Sequence, residues 1–243
     1  MDYTEELKER LKANVSRVRS DIADACREAG RKEDSVKLIG VSKVFPVEYA
    51  EAAVAGGLKD LGENRVQELV PKIDRLNALG LTPNWHLIGT LQRNKVKYII
   101  GKTYLIHSVN TIDLAREISI RSEASGIVTD ILLQGNISGE ESKHGFAPDE
   151  LTAAVQAVND MPGVRMRGLM TMAPIEIHKG EARPVFENTR IIFERLRSEV
   201  KDPSSWDTLS MGMSGDFKEA ILEGSTCVRI GTSIFGDRNA YIK

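Results

Sequence analysis

The sequence predicts an α/β protein that forms a single (β/α)8 TIM barrel with an extra N-terminal helix, over residues 1–243 as one domain. Eight short apolar segments alternate with longer segments of helical periodicity. Strands that alternate with helices form a parallel sheet, because each connection returns the chain to the same end of the sheet. About 250 residues is a typical length for a barrel of eight such units. An open, doubly wound sheet is the structural alternative.

The first helix is predicted from apolar residues that recur three or four positions apart, and Gly30 is expected to end it. These apolar positions are Leu7, Leu11, Val15, Val18, Ile22 and Ala25. The apolar segments that follow predict the strands of the barrel. They are Lys37–Ser42, Leu58–Gly62, Trp85–Ile88, Tyr104–His107, Asp130–Gln134, Arg165–Met170, Thr208–Ser210 and Cys227–Ile230.

Between these strands, amphipathic segments predict the helices that surround the barrel. They are Val47–Ala55, Val66–Leu79, Gln92–Ile100, Thr111–Ser125, Asp149–Asp160, Arg183–Val200 and Asp216–Glu223. We find no linker rich in Pro or Gly and no internal repeat.

Composition argues against several classes of partner. Lys and Arg number 33 and Asp and Glu number 35, a balance that provides no general field for nucleic acid or an anionic membrane. No apolar segment approaches the ~18 residues of a membrane span, and the charged N-terminus does not resemble a signal peptide. Cys26 and Cys227 are expected to be buried, since two cysteines make no disulfide framework. We therefore expect a cytoplasmic protein.

In a (β/α)8 barrel the functional site lies at the C-terminal ends of the strands. Lys43 directly follows the first predicted strand, where desolvation lowers the pKa of an amine and favours Schiff-base formation with an aldehyde. The alternative is a lysine that only extends past the strand end into solvent.

The segments MGMSGDF and RIGTSIFG follow or close the last two strands. Ser214, Gly215, Gly231 and Thr232 are suited to bind phosphate there, although they also suit helix capping and tight turns. Arg229 lies inside the last strand, so it is expected to pair with a carboxylate or with a ligand. An amine, a phosphate site and a cation that faces a planar ring together describe a pyridoxal 5′-phosphate (PLP) site.

At these residues the sequence closely resembles the pyridoxal phosphate homeostasis protein family, whose fold is that of the N-terminal barrel of alanine racemase. The matching segments run in order from Leu38 to Arg238. They are LIGVSKVFP, DLGENRVQEL, WHLIGTLQRNK, IHSVNT, SKHGF, RGLMTM, LSMGMSGDF and VRIGTSIFGDR. In one departure, Phe45 stands where members often carry a basic residue, two positions after the lysine.

The resemblance implies PLP as the cofactor, held as a Schiff base on Lys43. Ser214, Gly231 and Thr232 would hold the phosphate together with the amides of Met213 and Ser214, and Arg229 would face the pyridine nitrogen. Asn64 and His86 would line the mouth near the ring, and Met211 and Met170 would pack around the cofactor. For His86, Met211 and Met170, ordinary barrel packing is the alternative. No metal ligands are expected.

The resemblance also implies a role in intracellular PLP (vitamin B6) homeostasis and cofactor supply, with apo PLP enzymes as transient partners. We expect no catalysis, because racemisation requires a second base. In alanine racemase that base is a tyrosine from a second domain, whereas this chain ends soon after its last strand. Tyr3, Tyr49 and Tyr98 fall in helical patterns. The alternatives are a PLP-dependent amino-acid racemase or decarboxylase, and a sugar-phosphate enzyme without PLP. A monomer is expected.

Overall fold

A computed structural model describes residues 5–140, 144–174 and 180–238. Eight parallel strands pair in sequence order, and β1 also pairs with β8, so that the barrel is closed. This confirms the predicted fold and rules out the open sheet. The strands are β1 Lys37–Val41, β2 Asp60–Glu63, β3 Asn84–Leu87, β4 Leu105–Val109, β5 Thr129–Gln134, β6 Val164–Met170, β7 Thr208–Ser210 and β8 Cys227–Ile230.

Helices follow the strands and cover the outside of the barrel. They are α1 Glu5–Glu28, α2 Val47–Ala55, α3 Val66–Ala78, α4 Ile112–Ala124, α5 Leu151–Asn159, α6 Arg183–Leu196, α7 Phe217–Leu222 and α8 Thr232–Phe235. The extra helix α1 buries one apolar face against α2, α7 and α8, and so closes the outside of the barrel next to β1 and β8.

One predicted helix differs in kind. The segment Gln92–Ile100 forms only a short 3-10 helix, Arg93–Tyr98. Val96 in this helix and Ile99 directly after it are fully buried and lie three positions apart. That spacing matches the three-residue turn of a 3-10 helix, so two apolar residues are buried without a full α-helix.

The interior of the barrel contains more polar groups than the branched aliphatic layers usual in this fold. The side chains of His86, His107, Ser210 and Arg229 are all buried and hydrogen-bonded to one another in sequence. Both cysteines are free and buried, as predicted. Among the helices that the structure describes, none has the length and apolar character needed to cross a membrane.

Candidate functional site

A pocket of about 250 Å³ lies where β1, β2, β3, β6, β7 and β8 end. It brings together most of the residues that the sequence nominated for a ligand site. These are Lys43, Asn64, Met213, Ser214, Arg229, Gly231 and Thr232. The pocket thus lies at the end of the barrel where this fold places its functional sites.

A buried ion pair between Lys72 and Glu63 holds the backbone just before Lys43. The Ser42 hydroxyl donates to Glu63 Oε1 over 2.6 Å. Lys72, on α3, donates to the same carboxylate oxygen over 2.6 Å and to the Ser42 carbonyl over 2.8 Å. Burial raises the pKa of Glu63, although Lys72 and Ser42 oppose this rise. The start of the Lys43 turn is therefore attached to both β2 and α3.

The backbone on the other side of Lys43 is held in an unusual conformation. Val44 has a φ of 65°, in the left-handed region that a β-branched residue rarely adopts. Its amide donates to Glu68 Oε2 over 2.8 Å. Strain of this kind persists only where surrounding contacts enforce it. The GENRVQEL segment and Lys72 thus hold the turn that carries Lys43.

The surroundings of Lys43 lower the pKa of its amine. Burial lowers its pKa, and the nearby positive charges of Arg238 and Arg229 lower it further. Glu63 and Glu68 act in the opposite direction, but the net pKa lies below the ordinary value. A neutral amine is the nucleophilic form.

Asn64 is placed in the pocket by a close approach between two loops. It follows β2, and its backbone lies against Gly89, where any Cβ would collide with the Asn64 carbonyl. The Ser108 hydroxyl donates to the Gly89 carbonyl over 2.7 Å and fixes this contact from β4. Gly89 in the HLIGT segment is therefore required for the position of Asn64.

The turn after β7 packs tightly on α7. Gly212 has a φ of 97°, and a Cβ there would collide with Ala220 and with the backbone of Phe217. Within the same turn, the Met213 amide donates to Asp216 Oδ1. The single hydrogen of the Met213 amide therefore has an acceptor within the protein, and a part for this amide in holding a phosphate stays a prediction.

Other donors at this end of the pocket remain available. The Gly231 amide is not among them, because it donates to Ser214 Oγ over 3.2 Å and so joins the turns after β7 and β8. In the described part of the chain, the amides of Ser214, Gly215 and Thr232 have no hydrogen-bond acceptor. Two hydroxyls and several amides are therefore grouped where an anionic group would be bound.

Arg229 is the buried cation of the pocket, with 4% of its surface exposed. Its Nη1 donates to Ser210 Oγ over 2.6 Å and its Nη2 donates to the Thr171 carbonyl over 2.9 Å. Within the described ranges no carboxylate forms an ion pair with it, so the alternative of a structural salt bridge is not supported. Burial lowers its pKa.

His86, Met211 and Met170 do not line the pocket. His86 is fully buried in the barrel interior, with Nε2 3.0 Å from Asp60 Oδ1. Met211 belongs to the main hydrophobic core, and Met170 packs with Leu105 and Leu132. Phe45 is also buried and packs on Tyr49 and Phe235, with ring centroids 5.0 and 5.6 Å apart, so a basic residue at this position would be buried in an apolar cluster.

The chain is similar to known proteins along nearly its whole length. A family model described as "Alanine racemase, N-terminal domain" matches residues 9–239. A pyridoxal phosphate homeostasis protein from Aquifex aeolicus is 44% identical over 92% of this chain and 96% of its own length. The chain belongs to the pyridoxal phosphate homeostasis protein family.

Two solved structures agree with this assignment. A protein of unknown function from Bifidobacterium adolescentis has a TM-score of 0.87 and 35% identity, over 96% of this chain and 97% of its own. PipY of Synechococcus elongatus, solved with PLP bound, has a TM-score of 0.76 and 32% identity, over 88% of this chain and all of its own.

In this member of the pyridoxal phosphate homeostasis protein family, the pocket includes residues that sequence reasoning missed. Arg238, Met172 and Ile88 line it. Arg238 lies inside the segment VRIGTSIFGDR, and a lone arginine after two candidate phosphate-binding turns was a usable signal. Met172 and Ile88 carried no such signal, because apolar residues near strand ends also pack in cores.

Proposed function

We propose that this protein binds PLP in the pocket as a Schiff base on Lys43. It serves intracellular PLP homeostasis and cofactor supply in the cytoplasm, as a monomer, without catalysing a reaction of its own. The main support is that a single pocket contains an amine with a lowered pKa, a buried arginine that pairs with no described carboxylate, and a group of hydroxyls and amides. PipY, a homologue at 32% identity, was solved with PLP bound.

The chemistry of the donors fits the three parts of PLP. Lys43 supplies an amine for the aldehyde, and its lowered pKa increases the neutral fraction. Arg229 has five N–H groups, and among the described residues only Ser210 and Thr171 accept from it. Ser214 and Thr232 supply hydroxyls for the phosphate, next to the exposed cation of Arg238. Charge-assisted hydrogen bonds of this kind are the strong ones.

The side chains around the pocket act by binding and orientation. Lys43 would hold a bound PLP through its side-chain nitrogen, whose C=N bond to the aldehyde carbon would form as the carbonyl oxygen leaves as water. When bound, PLP supplies an electron sink for carbanion chemistry. Arg229 weakens that sink, because a guanidinium keeps its protons and so leaves the pyridine nitrogen unprotonated.

Among the described residues that line the pocket, Lys43 is the one whose side chain is suited to proton transfer. Apart from Lys43, the described side chains that line it belong to Val, Asn, Ile, Met, Ser, Thr and Arg residues. Racemisation requires a second acid or base on the opposite face of the substrate. Of the tyrosines that the structure describes, Tyr49, Tyr98 and Tyr104, none lines the pocket, while Tyr3 and Tyr241 lie outside the described residues.

The experiment that tests this function incubates PLP-loaded protein with amino acids in deuterium oxide. We expect no multiple-turnover exchange of the α-proton. We also expect the yellow absorbance of the loaded protein to disappear in Lys43→Ala, whereas Lys59→Ala, a lysine outside the pocket, leaves it unchanged. Exchange that depends on Lys43 would instead support a PLP-dependent racemase or decarboxylase. Transfer of PLP to an added apo-enzyme tests the supply role.

A further inference from the structure

A chain of hydrogen bonds crosses the interior of the barrel and ends at the pocket. His86 Nε2 lies 3.0 Å from Asp60 Oδ1, and His86 Nδ1 lies 2.9 Å from His107 Nε2. His107 Nδ1 lies 2.9 Å from Ser210 Oγ, which accepts from Arg229 Nη1 over 2.6 Å. The five residues come from β2, β3, β4, β7 and β8. Asp60 is the first residue of β2, so this series of hydrogen bonds starts near the N-terminal end of the barrel.

When both histidine rings are neutral, the two ends of this series of hydrogen bonds fix the direction of each bond in it. Burial alone would raise the pKa of Asp60, but the hydrogen bond to His86 and the charge of Lys37 outweigh it and the pKa is lowered, so Asp60 is an acceptor. His86 Nε2 must then donate. A neutral His86 with its hydrogen on Nε2 accepts at Nδ1, and a neutral His107 that donates there from Nε2 accepts at Nδ1 from the Ser210 hydroxyl, whose oxygen accepts from Arg229. His107 Nε2 therefore donates to His86 Nδ1.

This arrangement requires both histidines to be neutral and to carry their hydrogen on Nε2. Burial lowers the pKa of His107 well below 6.5, and the charges of Arg229 and Lys37 add to the effect. Burial also lowers the pKa of His86, although Asp60 opposes this. The Cys227 thiol, a neighbour of Ser210, has its pKa raised by burial to about 12 and stays neutral. Among the described residues, no group of three or more His, Cys, Asp or Glu could hold a metal ion.

We propose that Asp60, His86, His107 and Ser210 are positioning residues that fix the guanidinium of Arg229 at the floor of the pocket. The Ser210 hydroxyl has one hydrogen, and His107 holds it, so its lone pairs are aimed at Arg229. The Thr171 carbonyl holds Nη2 in the same way. These two hydrogen bonds restrict the rotamers of the long Arg229 side chain. The remaining N–H groups of the guanidinium therefore point in one fixed direction.

The consequence for the ligand rests on the proposed function. If Arg229 faces the pyridine nitrogen, the hydrogen bonds from Asp60 to Arg229 determine how well the pocket distinguishes a ring with that nitrogen from a ring without it. A group that only supports folding would affect both rings equally. This difference separates positioning from general stability.

The first test uses ligand-free protein and nitrogen-15 NMR of the histidine rings and of the Arg229 guanidinium. We expect His86 and His107 to be neutral with hydrogen on Nε2, and the Arg229 Nη hydrogens to exchange slowly. In Ser210→Ala these hydrogens are expected to exchange at least about tenfold faster. The matched control is Ser225→Ala, since Ser225 is equally buried between β7 and β8 but bonds only to backbone carbonyls. A hydrogen on Nδ1 of either ring, or unchanged Arg229 exchange in Ser210→Ala, would overturn the proposal.

The second test measures calorimetric affinity for pyridoxine 5′-phosphate and for its analogue with C–H in place of the ring nitrogen. Neither forms a bond to Lys43. In Ser210→Ala we expect the dissociation constant for the first ligand to rise about fivefold, the value of one ordinary hydrogen bond, and that for the analogue to stay within about twofold. Equal losses, or no loss, would contradict the positioning role. If the unmodified protein bound neither ligand and formed no Lys43 adduct with PLP, the proposed function would fail, while the NMR result would still decide the positioning of Arg229.

Discussion

Nδ1 of His86 and Nε2 of His107 lie 2.9 Å apart in a part of the barrel where both side chains are fully buried. One nitrogen must therefore donate and the other accept. Both pKa values lie below 6.5 because of burial, so both rings remain neutral at pH values where an exposed histidine gains a proton.

This pair predicts a loss of stability in mild acid. Below pH 6.5 the unfolded chain binds protons at these histidines while the folded protein does not, so the free energy of unfolding falls as the pH falls. Each neutral histidine contributes up to about 1.4 kcal/mol per pH unit in that range. Urea unfolding at pH 7.5, 6.5 and 5.5 measures the slope. His107→Gln should flatten it and the exposed His144→Gln should not, whereas a wild-type free energy that is constant over this range would contradict the assignment.

The buried ion pair beside Lys43 predicts a large effect of removing one partner. Lys72→Met leaves the carboxylate of Glu63 buried without a counter-ion, and we expect a loss of about 3–5 kcal/mol in the free energy of unfolding. Lys72→Met combined with Glu63→Gln should recover part of that loss, as measured by a double-mutant cycle in urea. Lys12→Met, in the exposed pair with Glu9, should change stability by less than about 0.5 kcal/mol. Similar losses for Lys72→Met and Lys12→Met would argue against a tightly held Lys43 turn.

The hydrogen bond from the Val44 amide predicts that Glu68 controls the reactivity of Lys43. In Glu68→Ala the left-handed Val44 loses its acceptor, so the Lys43 turn is expected to relax and the rate of the absorbance change on adding PLP to fall about fivefold. Gln67→Ala is the control, since Gln67 is exposed on the same turn of α3. Equal rates in the two variants would show that the Glu68 contact does not set the conformation of the turn.

The hydroxyls of Ser214 and Thr232 predict that removing either one weakens the binding of ligands that carry a phosphate. Ser214→Ala and Thr232→Ala should each raise the dissociation constant for pyridoxine 5′-phosphate more than about tenfold, because a hydrogen bond to a charged group contributes about 1.5–3 kcal/mol. Affinity for pyridoxine, which has no phosphate, should be unchanged. Ser233→Ala, in the same turn, is the control. Losses that are equal for both ligands would place the phosphate elsewhere.

Much of the barrel and of the site could be predicted from the sequence because strands end where polar and small residues begin. That pattern placed Lys43, Ser214 and Thr232 correctly at one end of the barrel, and the structure brings them to one pocket. The position of His86 could not be predicted this way. A histidine inside a strand faces either the pocket or the interior, and the register with Asp60 and His107 decides which.

Contacts between segments that are distant in the sequence could not be predicted either. The ion pair of Glu63 and Lys72, the left-handed Val44 and the use of the Met213 amide by Asp216 depend on how β2, α3 and α7 pack. No periodicity or motif reports such packing.

The central claim is that the Lys43 amine forms the covalent link to PLP. Reduction of PLP-loaded protein with borohydride, followed by protease digestion and mass spectrometry, identifies the modified lysine directly. We predict one phosphopyridoxyl group, on the peptide that contains Lys43, and none on that peptide in Lys43→Ala. Modification of another lysine with Lys43 unmodified would contradict the account.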